Sequence, residues 1–187
     1  MYKECGLPSP THNEGELSPV RIDLNKYVGL WFEQARIDSW FENADLMNVT
    51  AEYKKLTDST FTVTNRGQQK NGKIQEVPGT ARATDLPGFF LVSFIPMVEA
   101  SYVVLGVLCS TDRASTAPYA VLGAPEPYDV AIVGNRDRSL IWLLTRDRYL
   151  SSQDKQEFMA YLNSVAEHNG YSKDKIAQIH PVLHTNS

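Results

Sequence analysis

From Leu30 onward the chain is a succession of short runs of β-forming residues that alternate in polarity, each closed by a turn signal. This feature constrains the fold most, because period two over so many runs means sheet with one face buried and one face wet. Leu30 to Ile37 is the first run. Val49, Ala51 and Tyr53 alternate with Thr50, Glu52 and Lys54, and Phe61, Val63 and Asn65 alternate with Thr62 and Thr64. Gly72 marks a turn, Ile74 to Ala83 follows with a break at Pro78-Gly79, and Phe89 to Ile95 is strongly apolar. Val130 to Gly134 and Leu140 to Arg146 close the series. The spacing predicts an antiparallel all-β domain rather than βαβ units.

Outside the β-runs the character changes. Pro8, Pro10 and Pro19 predict an extended N-terminal arm over residues 1–20, ahead of one domain over 21–182. Ser151 followed by Asp154 supplies a helix start, Phe158, Leu162, Val165 and Ala166 recur at helical spacing, and Asn169-Gly170 supplies the stop. One amphipathic packing helix is therefore predicted over about 152–168, then a short strand over 174–180 and a frayed tail over 183–187. Between Pro96 and Pro127 two strings read alike, Tyr102-Val-Val-Leu-Gly106 and Tyr119-Ala-Val-Leu-Gly123, and either suits the same strand. Cys5 can pin the arm to the body or stay an idle thiol. With Cys109 it allows at most one bridge, which suits an exported chain, whereas two free thiols suit a cytosolic one. The first twenty residues hold no apolar signal core, so a signal peptide was either never there or has been removed.

Composition narrows the chemistry. The formal net charge is −4, which offers no broad basic face for nucleic acid. The nearest approach to a membrane-spanning stretch, Phe89 to Leu108, is interrupted by Ser93, Pro96, Glu99 and Ser101. His12, His168, His180 and His184 lie off the predicted core strands, so neither a metal nor a haem is expected and no cofactor is called for. There is no phosphate-binding glycine loop, no nucleophile elbow, and no carboxylate pair that stands out as catalytic, so no catalytic residue is assigned. Tyr53, Asn65, Phe61, Phe90, Phe94 and Trp142 share one phase of their strands, as does Phe41. In a sandwich they would fill the core. In a closed eight-stranded barrel they would line an interior wide enough for one small ligand, with Gly79, Ala81 and Ala83 leaving room, and Asn65 would need a polar partner there.

The motifs resemble those of a known family. Gly29-Leu-Trp31-Phe-Glu33 looks like the opening of lipocalins, Asn48-Val-Thr-Ala-Glu-Tyr53 like their second strand, and Trp142-Leu-Leu-Thr-Arg146 like their third motif. The C-terminal helix and Gly170 to Ile176 continue the likeness, which extends over about residues 22–180 and is strongest to the bacterial outer-membrane lipocalins and apolipoprotein D. The resemblance implies an eight-stranded antiparallel up-and-down barrel with the helix packed outside. Gly29, Trp31 and Arg146 are then structural, the guanidinium lying across the indole at the closed end. Phe41, Tyr53, Asn65, Phe90, Phe94, Tyr119 and Trp142 are the ligand-lining positions.

That likeness also implies the function: binding and transport of a small hydrophobic ligand such as a fatty acid, lysophospholipid, sterol, retinoid or bilin. The alternatives are a lipocalin-fold enzyme using a cysteine, or a membrane or partner module working through residues 97–108. The leading reading is a non-enzymatic, extracytoplasmic monomer or weak dimer with peripheral membrane contact as an option; a cytoplasmic location stays open. Taking Tyr119 as the sixth barrel strand makes Val98 to Ala117 an insertion at the mouth; taking Tyr102 moves the insertion to the closed end. An N-terminal cysteine bridged to the late strands in apolipoprotein D-like chains implies a Cys5–Cys109 disulfide here. Pro127-Tyr128-Asp129 departs from the family's second motif and weakens any receptor-docking role for the closed end. Asn48-Val49-Thr50 matches a glycosylation acceptor pattern by chance overlap with a strand start.

Overall fold

The computed structural model describes residues 1–9, 16–39, 45–111 and 126–185. In chain order the elements are β1 (Tyr2–Glu4), β2 (Leu7–Pro8), β3 (Val20–Arg21), α1 (Leu24–Tyr27), β4 (Gly29–Arg36), β5 (Met47–Lys55) and β6 (Thr60–Gln68). They continue with β7 (Ile74–Ala83), β8 (Phe89–Ile95), β9 (Val98–Ser110), β10 (Val130–Gly134), β11 (Ile141–Thr145), α2 (Ser152–His168), α3 (Lys173–Ile176) and β12 (His180–Pro181). Strands β4 to β11 each pair antiparallel with the next, and β11 returns to pair with β4, closing an eight-stranded barrel. Closure removes the sheet edges that an open stack of such strands would expose. The β6–β7 and β8–β9 turns lie at one end, the mouth. Helix α1, the start of β4 and the β9–β10 connection lie at the other, closed end.

Two apolar layers follow from the alternation. One phase points inward and gathers Trp31, Tyr53, Phe61, Phe90, Val104 and Ala131. The other phase of β9, β10 and β11 carries Leu105, Ile132, Ile141 and Leu143 to the outside, where Phe158, Leu162, Val165 and Ala166 of α2 cover them. Both faces of these late strands are thus buried. Ser151 caps α2 by accepting the Asp154 N–H at 3.0 Å, as the sequence predicts.

The strand between β8 and β10 is Val98–Ser110, not the stretch holding Tyr119. Phe90 faces Tyr102 and Leu108 faces Val130 across its two neighbours. The expected mouth insertion over Val98 to Ala117 is therefore corrected: Val98–Ser110 is a barrel strand, and the extra residues fall between β9 and β10 in the chain. Val103, Val104, Leu105, Val107 and Leu108 are core, which explains the apolar richness of this stretch. Phe41 and Tyr119 lie outside the described residues. The extreme end of β9 also holds the arm, since β1 pairs with it and Cys5 and Cys109 form a disulfide across a sequence separation of 104.

The C-terminal stretch differs from the expected strand and frayed tail. Ser172 accepts the Lys175 N–H and starts the short helix α3 where a strand was expected, leaving only β12 beside β4. Residues 183–185 are tied down along the seam between β4 and β5. The Asn48 N–H donates to the Leu183 carbonyl at 2.9 Å, the Thr185 N–H donates to Asn48 Oδ1 at 2.9 Å, and Arg148 Nη2 donates to the Thr185 carbonyl at 2.9 Å. The Asn48 amide nitrogen donates to Gln68 and Thr185, so it is engaged within the fold rather than offered to a glycan.

His184 packs edge-on against Phe32, with Nε2 2.7 Å from the Glu33 carbonyl, while its buried Nδ1 has no hydrogen-bond partner. Burial holds its pKa below the ordinary value; the hydrogen bond to the Glu33 carbonyl opposes this, and nearby Arg148 and Lys155 add to the lowering. The neutral ring is the one that fits. The stabilisation from this group is therefore full above about pH 6.5 and is lost as pH falls through the lowered value. Amide exchange at Thr185 and Asn48 is expected to accelerate on acidification well before global unfolding. Exchange at these amides that is no faster at pH 5 than at pH 8, after correction for intrinsic rates, would refute this.

Candidate functional site

The barrel interior is built in layers, and the lowest is a plug. Trp31 is fully buried and its Nε1 donates to the Tyr27 carbonyl at 2.8 Å. Arg146 lies over the indole with its Cζ 3.7 Å from the ring centroid. Its nitrogens donate to five backbone carbonyls: Tyr128, Leu30, Lys26, Tyr27 and Val28, at 2.8 to 3.0 Å. One planar guanidinium thus ties the end of α1, the start of β4 and the start of β10 together. Gly29 allows this approach. Its φ is +106°, and a Cβ there would sit 3.2 Å from Arg146 Nη1.

Above the plug lies a filled aromatic layer. Tyr27 stacks on Tyr53 at 5.6 Å with planes 7° apart, and Tyr53, Phe61 and Phe90 meet edge to face at 5.5 and 5.3 Å. The three phenols here satisfy one another: Tyr102 donates to Tyr53 Oη at 3.0 Å and lies 2.5 Å from Tyr27 Oη. Burial pushes the Tyr27 and Tyr102 hydroxyls well above the ordinary phenol value, so they stay neutral across the physiological range. The chain of hydroxyls gives the floor of the cup a polar centre inside an apolar ring.

The upper layer is less uniformly buried. Asn65, Phe94 and Trp142 point inward yet are only partly buried, in contrast to Tyr53 and Phe90, while Arg36 and Val133, which face Trp142 across its two neighbouring strands, are buried. The Asn65 side chain makes no hydrogen bond to any described residue. Room was expected at Gly79, Ala81 and Ala83. The space at Gly79 is taken by Phe94, whose Cδ1 lies 2.6 Å from where a Cβ would be. Ala81 packs into the aromatic layer.

Sequence reading missed a buried ion pair on the inner wall. Arg36 is fully buried, with Nη1 2.6 Å from Glu33 Oε1 and Nε 3.2 Å from Asp38 Oδ1. Strict alternation puts residues 33 and 36 on opposite faces. A register shift at Leu143/Leu144 brings both inward, facing Leu144 and Trp142. The spacing of an acid and a base within an apolar run was the signal, and only the bulge gives it meaning. Among the described residues no cluster of His, Cys, Asp and Glu could hold a metal.

A sequence model of the lipocalin-like domain matches residues 22–181. The chain belongs to the lipocalin family. Lipocalins bind small hydrophobic ligands, and the layered cup is the part of the fold suited to that. The chain is 31% identical over 170 residues to the outer membrane lipoprotein Blc of Escherichia coli, covering 89% of this chain and 84% of that protein. It is 36% identical to Blc of Vibrio cholerae over 130 residues, 67% of this chain and 65% of that relative, so the match spans just under two thirds of its length. Mouse apolipoprotein D is 24% identical over 178 residues, covering 90% and 79% of the two chains. Among solved structures, insecticyanin from the tobacco hornworm Manduca sexta superposes with a TM-score of 0.61 at 18% identity, over 97% of this lipocalin and 90% of that chain. Lobster apocrustacyanin A1 superposes at 0.57 with 12% identity, over 87% and 79%. These two show the fold alone. The Cys5–Cys109 bridge of this lipocalin fits an extracytoplasmic location, where disulfides persist.

Proposed function

We propose that this lipocalin binds and carries a lipid-like molecule in the upper half of its cup, against Asn65, Phe94 and Trp142, with Tyr53, Phe90 and Tyr102 forming the floor beneath it. Phe41 belongs to the same proposal by its place between β4 and β5, and Tyr102 takes the role first given to Tyr119. The observation that carries this reading is that Asn65, Phe94 and Trp142 point inward and stay only partly buried above the packed aromatic layer, with the Asn65 side chain making no hydrogen bond to any described residue. An unpaired amide in an apolar cup favours a ligand with one polar group among fatty acids, lysophospholipids, sterols, retinoids and bilins.

Magnitudes agree. Removing ~300 Å² of apolar ligand surface from water at ~25 cal/mol/Å² yields about 7–8 kcal/mol. Loss of ligand freedom takes back several kcal/mol, and ring contacts with one or two hydrogen bonds return the balance to the micromolar range. Both cysteines lie in the disulfide, which leaves no thiol for lipid isomerisation or reduction. Titration with a long-chain fatty acid and with a retinoid is expected to change tryptophan emission saturably, with the response largely lost in Trp142→Phe. Asn65→Leu should weaken a polar-headed ligand by up to about tenfold. Absence of a saturable response and of any bound species in native mass spectrometry across the whole lipid panel would overturn the proposal.

A further inference from the structure

The rim of the mouth is not uniform. On the β7–β8–β9 side four large apolar side chains face solvent: Ile74, Ile95, Met97 and Val98, with Met97 101% exposed and the others more than half exposed. Three of them lie together: Ile95 and Val98 pair across the β8–β9 hairpin and Met97 sits at its corner. Ile74 opens the neighbouring strand β7 at the same end of the barrel, beyond the last β7–β8 pair of Thr80 with Ser93. None belongs to the inward layer or to the layer under α2.

Met97 is the informative residue. The hairpin turns through Pro96 and Met97, and Met97 has a φ of +65°. A proline followed by a positive-φ corner is a turn that asks for glycine or asparagine at the second position. Methionine there is sterically unfavourable, and the conformation aims a long, unbranched thioether straight outward. The cheaper residue would remove both the strain and the exposed apolar surface.

The charge around these side chains has one sign left over. Glu76 is paired with Arg66 at 2.7 Å, Glu99 with Arg82 at 2.8 Å, and Asp45 with Lys70 at 2.5 Å. Lys73, on the β6–β7 turn beside Ile74, has no carboxylate partner among the described residues. The chain as a whole carries −4, whereas here three acids are matched and, among the described residues of the lip, Lys73 is left over.

We infer that this lip docks on a phospholipid bilayer containing anionic lipid, with Met97, Ile95, Val98 and Ile74 entering the headgroup boundary and Lys73 meeting the anionic headgroups. Apolar side chains on two protruding turns suit a soft surface that closes around them, and lysine beside them suits a negative one. Docking by the lip does not require the cup to bind anything. Only its consequence, that the mouth would open toward the bilayer, rests on the carrier reading.

Flotation with phosphatidylcholine vesicles, with and without phosphatidylglycerol, tests it. The protein is expected to float with vesicles, more strongly when phosphatidylglycerol is present. Met97→Gly should weaken partition by about tenfold or more while keeping or raising the thermal midpoint, since glycine suits the corner. Lys73→Gln should weaken binding about fivefold on phosphatidylglycerol vesicles and leave phosphatidylcholine binding unchanged. No flotation of the parent protein, or flotation unaffected by Met97→Gly, overturns the inference. So does a dimer in sedimentation that Met97→Gly dissolves without any vesicle binding, which would assign the lip to a second copy. Vesicle-free titration of tryptophan emission is read separately, so failure of docking and failure of carriage are distinguishable.

Discussion

Replacing Arg146 with alanine is expected to lower the thermal midpoint of this lipocalin by roughly 10 °C, the largest fall from any single change at the closed end short of removing Trp31. The guanidinium meets five backbone carbonyls and an indole face. Hydrogen bonds to a charged group contribute about 1.5–3 kcal/mol each in isolation and less when they share a donor, and the cation–π contact adds about 0.5–2 kcal/mol. Water can reach some of the freed carbonyls, so a net loss of about 3–5 kcal/mol is expected. For a chain of this length each kcal/mol moves the midpoint by about 2–4 °C. Lysine retains the charge but not the fork, so Arg146→Lys should recover less than half of the loss. A scanning calorimetry midpoint for Arg146→Ala within about 2 °C of the parent would mean that Trp31 seals the barrel by packing alone.

Opening the Cys5–Cys109 bridge is expected to have a comparable effect by a different route. The bridge closes a loop with a sequence separation of 104. In the chain-entropy view such a loop restricts the unfolded chain by about 4–5 kcal/mol. Native contacts add to this, because β1 pairs with the end of β9 beside the bridge. Guanidinium unfolding with and without reductant should show a clear drop in midpoint, and Cys5→Ser, Cys109→Ser and the double variant should coincide. Equal midpoints for oxidised and reduced protein would show that the arm is not coupled to the barrel.

Much of the architecture is written in local patterns. Alternation in Val49 to Lys54 and Phe61 to Asn65 reports strands whose two faces meet different surroundings, and Ser151 with Asp154 reports a helix start. The plug is legible through the lipocalin resemblance, which gives Trp31 and Arg146 a shared place at the closed end. Strand β9 was harder. Tyr102 to Gly106 and Tyr119 to Gly123 satisfy the same pattern, and only the pairing of Leu108 with Val130 selects the first. The Glu33–Arg36 pair depends on a bulge that no single strand's sequence reveals. The phenol chain needs Tyr27, which sits on a helix outside the alternating runs, to reach Tyr102 across the floor. Long-range register decides each of these, and register is set by closure of the whole sheet.

The packed aromatic layer has a dimensional consequence. Measured up β5 from Tyr53 to Met47, the part of the barrel above that layer is roughly 15 Å tall, at about 3.3 Å per residue and a strand tilt of about 40°. For the carrier role proposed above, the tyrosine hydroxyls would then act as a ruler. Short or bent guests would sink entirely below the rim, whereas a long straight one would coil or leave one end standing outside, and affinity plotted against chain length should flatten where that limit is met.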